Sequence, residues 1–297
     1  MTDVTVIGLG PMGIALAELT LKAGKSVTLW NRSPAKAAAL LGQGATLAEA
    51  PAAAIAASPI TLVCVYDYDA VDEILAAEGT SVSLADRLVV NLGTGSPEDA
   101  RCIQAFVTSH GGRYLDAAIQ AAPSQMGQAD TPVLISGPSD DFAKAEPVLK
   151  ILAGSLFHLG DEIGAAASMD LSTLSYVYGA FAGFLHGARI AEASGVSVAT
   201  YGTLVNAISP SFGAFFEHEG GVIASGDFRI TESPLRISVP AVRRILSSSE
   251  SLGLNTQLPA LVDGWLQRAQ AVGLANEELA ALIKVLRTDE ALAQKTA

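Results

Sequence analysis

Residues 4–13 read VTVIGLGPMG, and this stretch decides the fold of the chain. Apolar, largely β-branched residues lead into G-x-G-x-x-G, and the residues that follow have the pattern of a helix. In this setting the first glycine permits a tight turn, the second admits a pyrophosphate to the backbone, and the third lets helix pack on strand. Unpaired N–H groups at the helix start can then bind phosphate. We predict a dinucleotide site formed by Gly8, Gly10, Pro11, Met12 and Gly13; the alternative is a glycine-rich turn without ligand.

Strand-like and helix-like segments alternate through the first half of the chain. Helices are predicted from about Pro11 to Lys22 and from about Pro34 onward. This alternation is typical of a doubly wound, mostly parallel sheet, so the expected fold class is α/β with an N-terminal Rossmann domain over residues 1–162. Further strands are predicted at SVTLWN (26–31), ITLVCV (60–65), RLVVNL (87–92), YLDAAI (114–119) and PVLISG (132–137).

A helical period dominates from about Gly164. We predict an all-α C-terminal domain over residues 163–297, entered through a long interdomain helix. Its apolar run at 171–188 is long enough to span a membrane, but Asp170 and Arg189 flank it, so a buried helix is favoured. One small domain supplies too little surface to cover such a helix. We therefore expect a dimerisation domain, in a homodimer that shares this helix.

The composition excludes several classes of protein. The chain has 297 residues and carries 30 acidic against 18 Lys and Arg side chains, a net charge of −12. This balance argues against a nucleic-acid-binding protein, which needs a basic face. Cys64 and Cys102 give neither a disulfide framework nor a metal-ligand spacing, and we predict no metal. Residues 1–3 lead into a strand without a basic leader, so we expect a cytoplasmic protein with no membrane partner.

The end of the second predicted strand selects between the two nicotinamide dinucleotides. NAD enzymes usually place Asp or Glu there to bind the ribose hydroxyls. This chain instead has Asn31, Arg32 and Ser33, with Lys36 close behind. No carboxylate repels a 2′-phosphate here, and the two cations can bind it. We predict NADPH/NADP+ as the cofactor; the alternative is a solvated basic turn.

One carboxylate stands out in the second half. From Ile163 to Ala188, Asp170 is the only acidic or strongly basic side chain. A buried ionised carboxylate is costly without a partner, so Asp170 is either functional or exposed on one side of the helix. On an ideal helix Tyr178 lies about 80° round and roughly 12 Å along from it, so the two can border one pocket. Because hydride transfer needs a polar group near the acceptor, both are candidate catalytic residues; the alternative for Tyr178 is a core aromatic.

Several segments together resemble the β-hydroxyacid dehydrogenase superfamily and, within it, the imine reductases and reductive aminases. The resemblance covers nearly the whole chain, and the combination is more specific than any single motif. The segments are VIGLGPMG (6–13), WNRSPAK (30–36), NLGTGSP (91–97), YLDAAIQAAPSQMG (114–127), LISG (134–137) and GAAASMD (164–170).

Differences from the sequence motifs of the β-hydroxyacid dehydrogenases favour a resemblance to the imine reductases over one to the dehydrogenases themselves. The hydroxyacid dehydrogenases have a catalytic lysine where this chain has Asp170, and their downstream asparagine is lost, with Ser172 and Thr173 nearby. Their substrate-carboxylate motif D-x-P-V-S-G-G ends here in Gln120-Ala121-Ala122. Lysine stabilises negative charge on an oxygen, whereas aspartate attracts an iminium cation or donates a proton to nitrogen. The resemblance therefore implies chemistry at C=N rather than C=O.

The resemblance implies an NADPH-dependent imine reductase acting on a small imine, ketone or amine, with reductive amination open as a second activity. Hydride would pass from nicotinamide C4 to the imine carbon, in a cleft between one subunit's Rossmann domain and its partner's helices. Asp170 would anchor or protonate the nitrogen, and Tyr178 would orient the substrate. The alternatives are a semialdehyde or hydroxy acid reductase and a non-catalytic NADP-binding sensor. The other implied site residues are Asn91 and Thr94 at the cofactor and Gln120, Ala122, Phe212, Phe216 and Trp265 in the pocket wall.

Overall fold

The computed structural model describes residues 1–287, which belong to two compact units, Met1–Ser175 and a second that begins at Tyr176. The first unit holds one eight-stranded sheet in the order β3-β2-β1-β4-β5-β6-β7-β8. Neighbouring strands are parallel except β6 and β7. The strands are β1 (Val4–Ile7), β2 (Val27–Trp30), β3 (Thr46–Leu47), β4 (Ile60–Val63), β5 (Leu88–Asn91), β6 (Arg113–Ile119), β7 (Pro132–Ser136) and β8 (Ser155–His158).

Helices alternate with most of these strands, and the predicted α/β class with a Rossmann sheet is confirmed. Short 3-10 turns add Pro34–Ala37 and Pro123–Gln125. The helices of the first unit are α1 (Pro11–Lys22), α2 (Ala38–Leu41), α3 (Pro51–Ala56), α4 (Tyr68–Leu75), α5 (Thr80–Ser83), α6 (Pro97–Ser109) and α7 (Ser139–Leu152).

Both faces of the sheet are buried. Val6 of β1 packs in one apolar cluster and its neighbour Ile7 in another, because successive residues of a strand point to opposite faces. The paired residues at the carboxyl ends of β1, β2, β4 and β5 are Ile7, Trp30, Val63 and Asn91. The loops that follow these four residues therefore lie side by side along one edge of the sheet, where ligands of such folds bind.

The hydroxyl of Ser136 ties the start of the next helix, α8 (Ala165–Ala193), to the sheet. Ser136, the fully buried last residue of β7, donates to the Ile163 carbonyl at 2.6 Å and accepts from the Ala166 N–H at 3.1 Å. The first N–H groups of a helix need partners from outside it, and Ser136 supplies one. The sheet therefore sets the position of the first turns of α8, which carry Asp170.

The second unit is helical, as predicted. It contains the rest of α8 together with α9 (Val198–Ser225), α10 (Leu235–Ser251), α11 (Gln257–Ala271) and 3-10 turns at Leu274–Asn276 and Leu279–Leu282. The unit boundary at Ser175 falls inside α8, whereas the boundary at 162/163 drawn from sequence precedes it and remains a prediction. Within residues 1–287, no helix combines the length and hydropathy needed to cross a membrane.

A buried carboxylate organises the loop between α9 and α10. Glu278 is fully buried and accepts from the backbone N–H groups of Thr231, Glu232 and Ser233. Burial alone raises the pKa of Glu278, but these hydrogen bonds outweigh it and lower that pKa to about 2. The loop is thus held by one ionised side chain.

Candidate active site

The glycine loop between β1 and α1 leaves no room for side chains at two positions. Gly8 has a φ of +95°, and a Cβ there would lie 2.2 Å from the Cys64 carbonyl oxygen. A Cβ on Gly13 would lie 1.9 Å from the Gly8 carbonyl oxygen, so the helix packs directly on the loop. A Cβ on Gly10, by contrast, would meet nothing within 4 Å. The loop therefore packs tightly against neighbouring backbone at Gly8 and Gly13. At Gly10 the backbone has free space beside it, so a ligand can approach it there.

A cleft of about 440 Å³ lies along this loop. No side chain of the described residues caps the N-terminus of α1, so its first N–H groups can bind phosphate. The chemistry of the lining fits a dinucleotide, because it combines the glycine loop with two cations, Arg32 and Lys36. The lining residues are Gly8 to Gly13, Trp30, Asn31, Arg32, Lys36, Cys64, Val65, Tyr66, Ala70, Glu73 and Ile74.

The amide of Asn31 joins the end of β2 to the glycine loop. Its Oδ1 accepts from the Leu9 N–H at 2.9 Å, and its Nδ2 donates to the Ser33 carbonyl at 3.0 Å. Arg32 and Lys36 are exposed at the cleft, and Arg32 Nη1 lies 3.6 Å from Glu73 Oε2. That ion pair is weak, because its side chains are 88% and 72% exposed. Arg32 can therefore exchange Glu73 for a phosphate.

Asp170 is buried, with 5% of its surface exposed, so the alternative of an exposed aspartate is wrong. Gln120, the residue after β6, donates from Nε2 to Asp170 Oδ1 at 2.6 Å. The Thr173 hydroxyl contacts Gln120 Oε1 at 2.7 Å and the Asp170 carbonyl at 2.9 Å. Within residues 1–287, no Lys, Arg or His forms an ion pair with Asp170, and no hydrogen bond reaches its Oδ2. The first unit thus contains a buried carboxylate with no counter-charge.

A second buried carboxyl, Asp116 of β6, lies in the same unit with 1% of its surface exposed. Tyr68 and Tyr114 donate from their hydroxyls to its Oδ1, the latter at 3.0 Å. The pKa of Asp116 is raised to about 7, chiefly by burial. The hydrogen bonds from the two tyrosine hydroxyls and the Asn91 amide lower this pKa, whereas the charge of Asp170 raises it slightly. The Tyr-x-Asp spacing puts Tyr114 and Asp116 on one strand face, but no sequence signal identifies Tyr68 as a partner.

Asn91 shapes the loop after β5. It is fully buried, and its Oδ1 accepts from the Gly93 N–H at 3.2 Å. A Cβ on Gly95 would lie 2.2 Å from the Tyr68 ring, so the loop presses against that ring. Thr94, between these glycines, is exposed. The contacts of Asn91 and Thr94 with the cofactor remain predictions.

The aromatic pocket candidates lie in the second unit. Phe216 packs edge-on to Tyr176 with ring centroids 5.5 Å apart and lies 6.2 Å from Phe212. These rings line a cavity of about 420 Å³ between α8 and α9. Tyr178 is 69% exposed, so it is no core aromatic in the single chain. A pocket shared by Asp170 and these residues stays a prediction, as does the pocket role of Ala122, which is exposed.

Both halves of the chain match known proteins. Residues 3–160 match the NAD binding domain of 6-phosphogluconate dehydrogenase, and residues 162–288 match the NADPH-dependent reductive aminase-like C-terminal domain. The chain is 32% identical over 287 residues to an NADPH-dependent reductive aminase of Aspergillus oryzae. The match covers 95% of this chain and 96% of that protein.

Solved structures show the same likeness. An imine reductase from Myxococcus stipitatus in complex with NADP+ has a TM-score of 0.89 at 30% identity, over 96% of this chain and 99% of that one. A reductive aminase from Aspergillus terreus in complex with NADPH and ethyl levulinate has a TM-score of 0.88 at 34% identity, over 96% and 99%.

Proposed function

The chain belongs to the family of NADPH-dependent imine reductases and reductive aminases, and from this membership we propose how its residues carry out the reaction. It is an oxidoreductase that reduces C=N bonds with NADPH. The observation that carries our assignment of the site is the burial of Asp170 without a counter-charge. An iminium nitrogen would provide the missing positive charge, which a hydroxy acid or semialdehyde cannot do. The hydroxy acid and sensor alternatives are therefore not favoured.

The first unit would hold the cofactor. The backbone of Gly8, Gly10 and Gly13 would receive the pyrophosphate, and Arg32 and Lys36 would receive the 2′-phosphate. Asn31 acts on the same site by bracing the loop, because its amide oxygen already accepts from Leu9. When bound, NADPH supplies a hydride to the carbon of the C=N bond.

Asp170 would act on the nitrogen. Its free Oδ2 can accept a hydrogen bond from a protonated imine and stabilise its positive charge before the hydride arrives. The overall balance is imine plus NADPH plus one proton, giving amine plus NADP+. Tyr178 would orient the substrate, and Phe212 and Phe216 would form apolar pocket walls.

The second unit exposes apolar side chains that suit a second copy of the chain. On α8 and α9, Tyr176, Phe181, Leu204, Phe212 and Phe216 are each between 46% and 59% exposed. A surface of this kind marks an interaction site, and we propose a homodimer in which helices are exchanged. Both cysteines are unpaired, which fits a reducing, cytoplasmic compartment.

The substrates would be a small ketone with an amine, or the imine formed from them. The test is NADPH oxidation with a methylpyrroline, compared with a panel of 3-hydroxy acids, semialdehydes and ketone–amine pairs. We expect turnover of the imine and none of the acids. Turnover of the acids or semialdehydes without imine reduction would contradict the proposed function.

Variants test the role of Asp170. Asp170→Asn is expected to lower kcat at least about 100-fold, and Asp170→Lys to abolish imine reduction, with NADPH affinity unchanged in both. Asp141→Asn is the matched control, since Asp141 is a buried carboxylate of the same unit that pairs with Arg113 and Lys144. Wild-type turnover in Asp170→Lys would show that the carboxylate does not take part.

A further inference from the structure

The Gln120 amide has a polar partner at each end. Its Nε2 lies 2.6 Å from Asp170 Oδ1, and its Oε1 lies 2.7 Å from the Thr173 hydroxyl. Asp170 and Thr173 lie on adjacent turns of α8, whereas Gln120 follows β6, some 50 residues away in sequence. Three residues from two elements thus form one hydrogen-bonded chain.

The chemistry of these groups allows one orientation of the amide. An ionised carboxylate only accepts hydrogen bonds, so the NH₂ of Gln120 has to face Asp170. The amide oxygen then faces Thr173, whose hydroxyl can donate to it. The reversed amide would put two acceptor oxygens 2.6 Å apart at Asp170, which is repulsive.

We propose that Gln120 is a positioning residue for Asp170 and that Thr173 holds the amide oxygen of Gln120 in place. This inference rests on the proposed function, in which Asp170 meets the substrate nitrogen. Holding Oδ1 restricts the rotation of the carboxylate and leaves Oδ2, which accepts no hydrogen bond within residues 1–287, available to an iminium ion.

Three variants separate positioning from a structural link between β6 and α8. Gln120→Met keeps the length of the side chain without its hydrogen bonds, Thr173→Val keeps the shape without the hydroxyl, and Thr173→Ser keeps the hydroxyl. We expect Gln120→Met to lower kcat for a methylpyrroline about 10-fold or more, and Thr173→Val about 3- to 10-fold. Thr173→Ser is expected to keep kcat within about twofold of wild type, and KM for NADPH is expected to be unchanged in all three variants.

The double variant Gln120→Met/Thr173→Val tests whether Thr173 acts on Asp170 through Gln120. If Thr173 acts through Gln120, adding Thr173→Val to Gln120→Met changes kcat no further. Independent, multiplying effects would overturn the inference, as would wild-type kcat in either single variant. If Gln120→Met does not fold, the comparison of Thr173→Val with Thr173→Ser decides the matter.

Asp170→Asn, assayed in parallel, distinguishes the two possible failures. If Asp170→Asn loses activity while Gln120→Met and Thr173→Val keep it, the positioning role is wrong and the proposed function stands. If Asp170→Asn keeps wild-type kcat, the assignment of Asp170 fails, and the positioning role fails with it.

Discussion

Replacing Asp116 by asparagine tests whether burial keeps this carboxyl protonated near neutral pH. Asparagine retains the oxygen to which Tyr68 and Tyr114 donate, and it cannot ionise. The folded pKa of Asp116 is about 7, above the value of about 3.9 in an unfolded chain. The folded state therefore binds the proton more tightly. The stability that this provides is full below about pH 4 and is lost as the pH rises through 7.

The size of the effect follows from these two values. Between them, each pH unit costs the wild-type protein about 1.4 kcal/mol of unfolding free energy. From pH 5 to pH 8, Asp116→Asn is expected to gain about 2–3 kcal/mol relative to wild type. Titrating groups that do not interact with Asp116 are common to both proteins and cancel in the comparison.

The assay is urea unfolding at pH 5, 6, 7 and 8. Trp30 lies in the first unit and Trp265 in the second, so a Trp265→Phe background makes tryptophan fluorescence report on the first unit alone. Tyr114→Phe is a directional control, because removing a donor raises the pKa of Asp116 further and extends the loss of stability to higher pH. Parallel pH dependence in wild type and Asp116→Asn would refute the reasoning.

Two further predictions concern the cofactor cleft and the second unit. Arg32→Ala should raise the Kd for NADPH about 10-fold and the Kd for NADH less than twofold. Arg101 is also an exposed arginine, and as a control Arg101→Ala should change neither Kd. Equal effects of Arg32→Ala on both cofactors would exclude a contact between Arg32 and the 2′-phosphate. Glu278→Gln should lower the unfolding free energy at pH 7 by about 2 kcal/mol, measured by Trp265 fluorescence, with exposed Glu232→Gln as the control. Because the pKa of Glu278 is lower in the folded than in the unfolded state, the difference in unfolding free energy between wild type and Glu278→Gln should shrink as the pH falls from 5 toward 2. A difference that stays constant over this range would show that the charge of Glu278 does not stabilise the loop.

Most of the sheet could be predicted from sequence, because its central strands are buried on both faces and read as continuous apolar runs. Two edge strands were missed. β3 has two residues and is the edge strand beside β2, and β8 is partly exposed and is the edge strand beside β7. A two-residue strand such as β3 carries too little pattern to be recognised, and β8 lacks the continuous apolar, buried run of the central strands.

The candidate site likewise has one part that the sequence predicts and another that it does not. Asp170 could be singled out because a lone carboxylate in an apolar helix contrasts with its own neighbours. Its link to Gln120 could not, since a contact between a strand end and a helix depends on how the two pack. Gln120 was predicted only as pocket wall, and nothing in the sequence pattern singles out Ser136 or Tyr68.

The hydroxyl of Ser136 has a consequence for how substrate range can change. Because it ties the first turns of α8 to β7, Asp170 belongs to the same unit as the cofactor cleft, although the helix continues into the second unit. We therefore expect substitutions of aromatic residues in the second unit to leave the hydrogen bonds among Asp170, Gln120 and Thr173 intact. On the proposed function, the range of substrates can then change in evolution while Asp170 and its two hydrogen-bond partners stay the same.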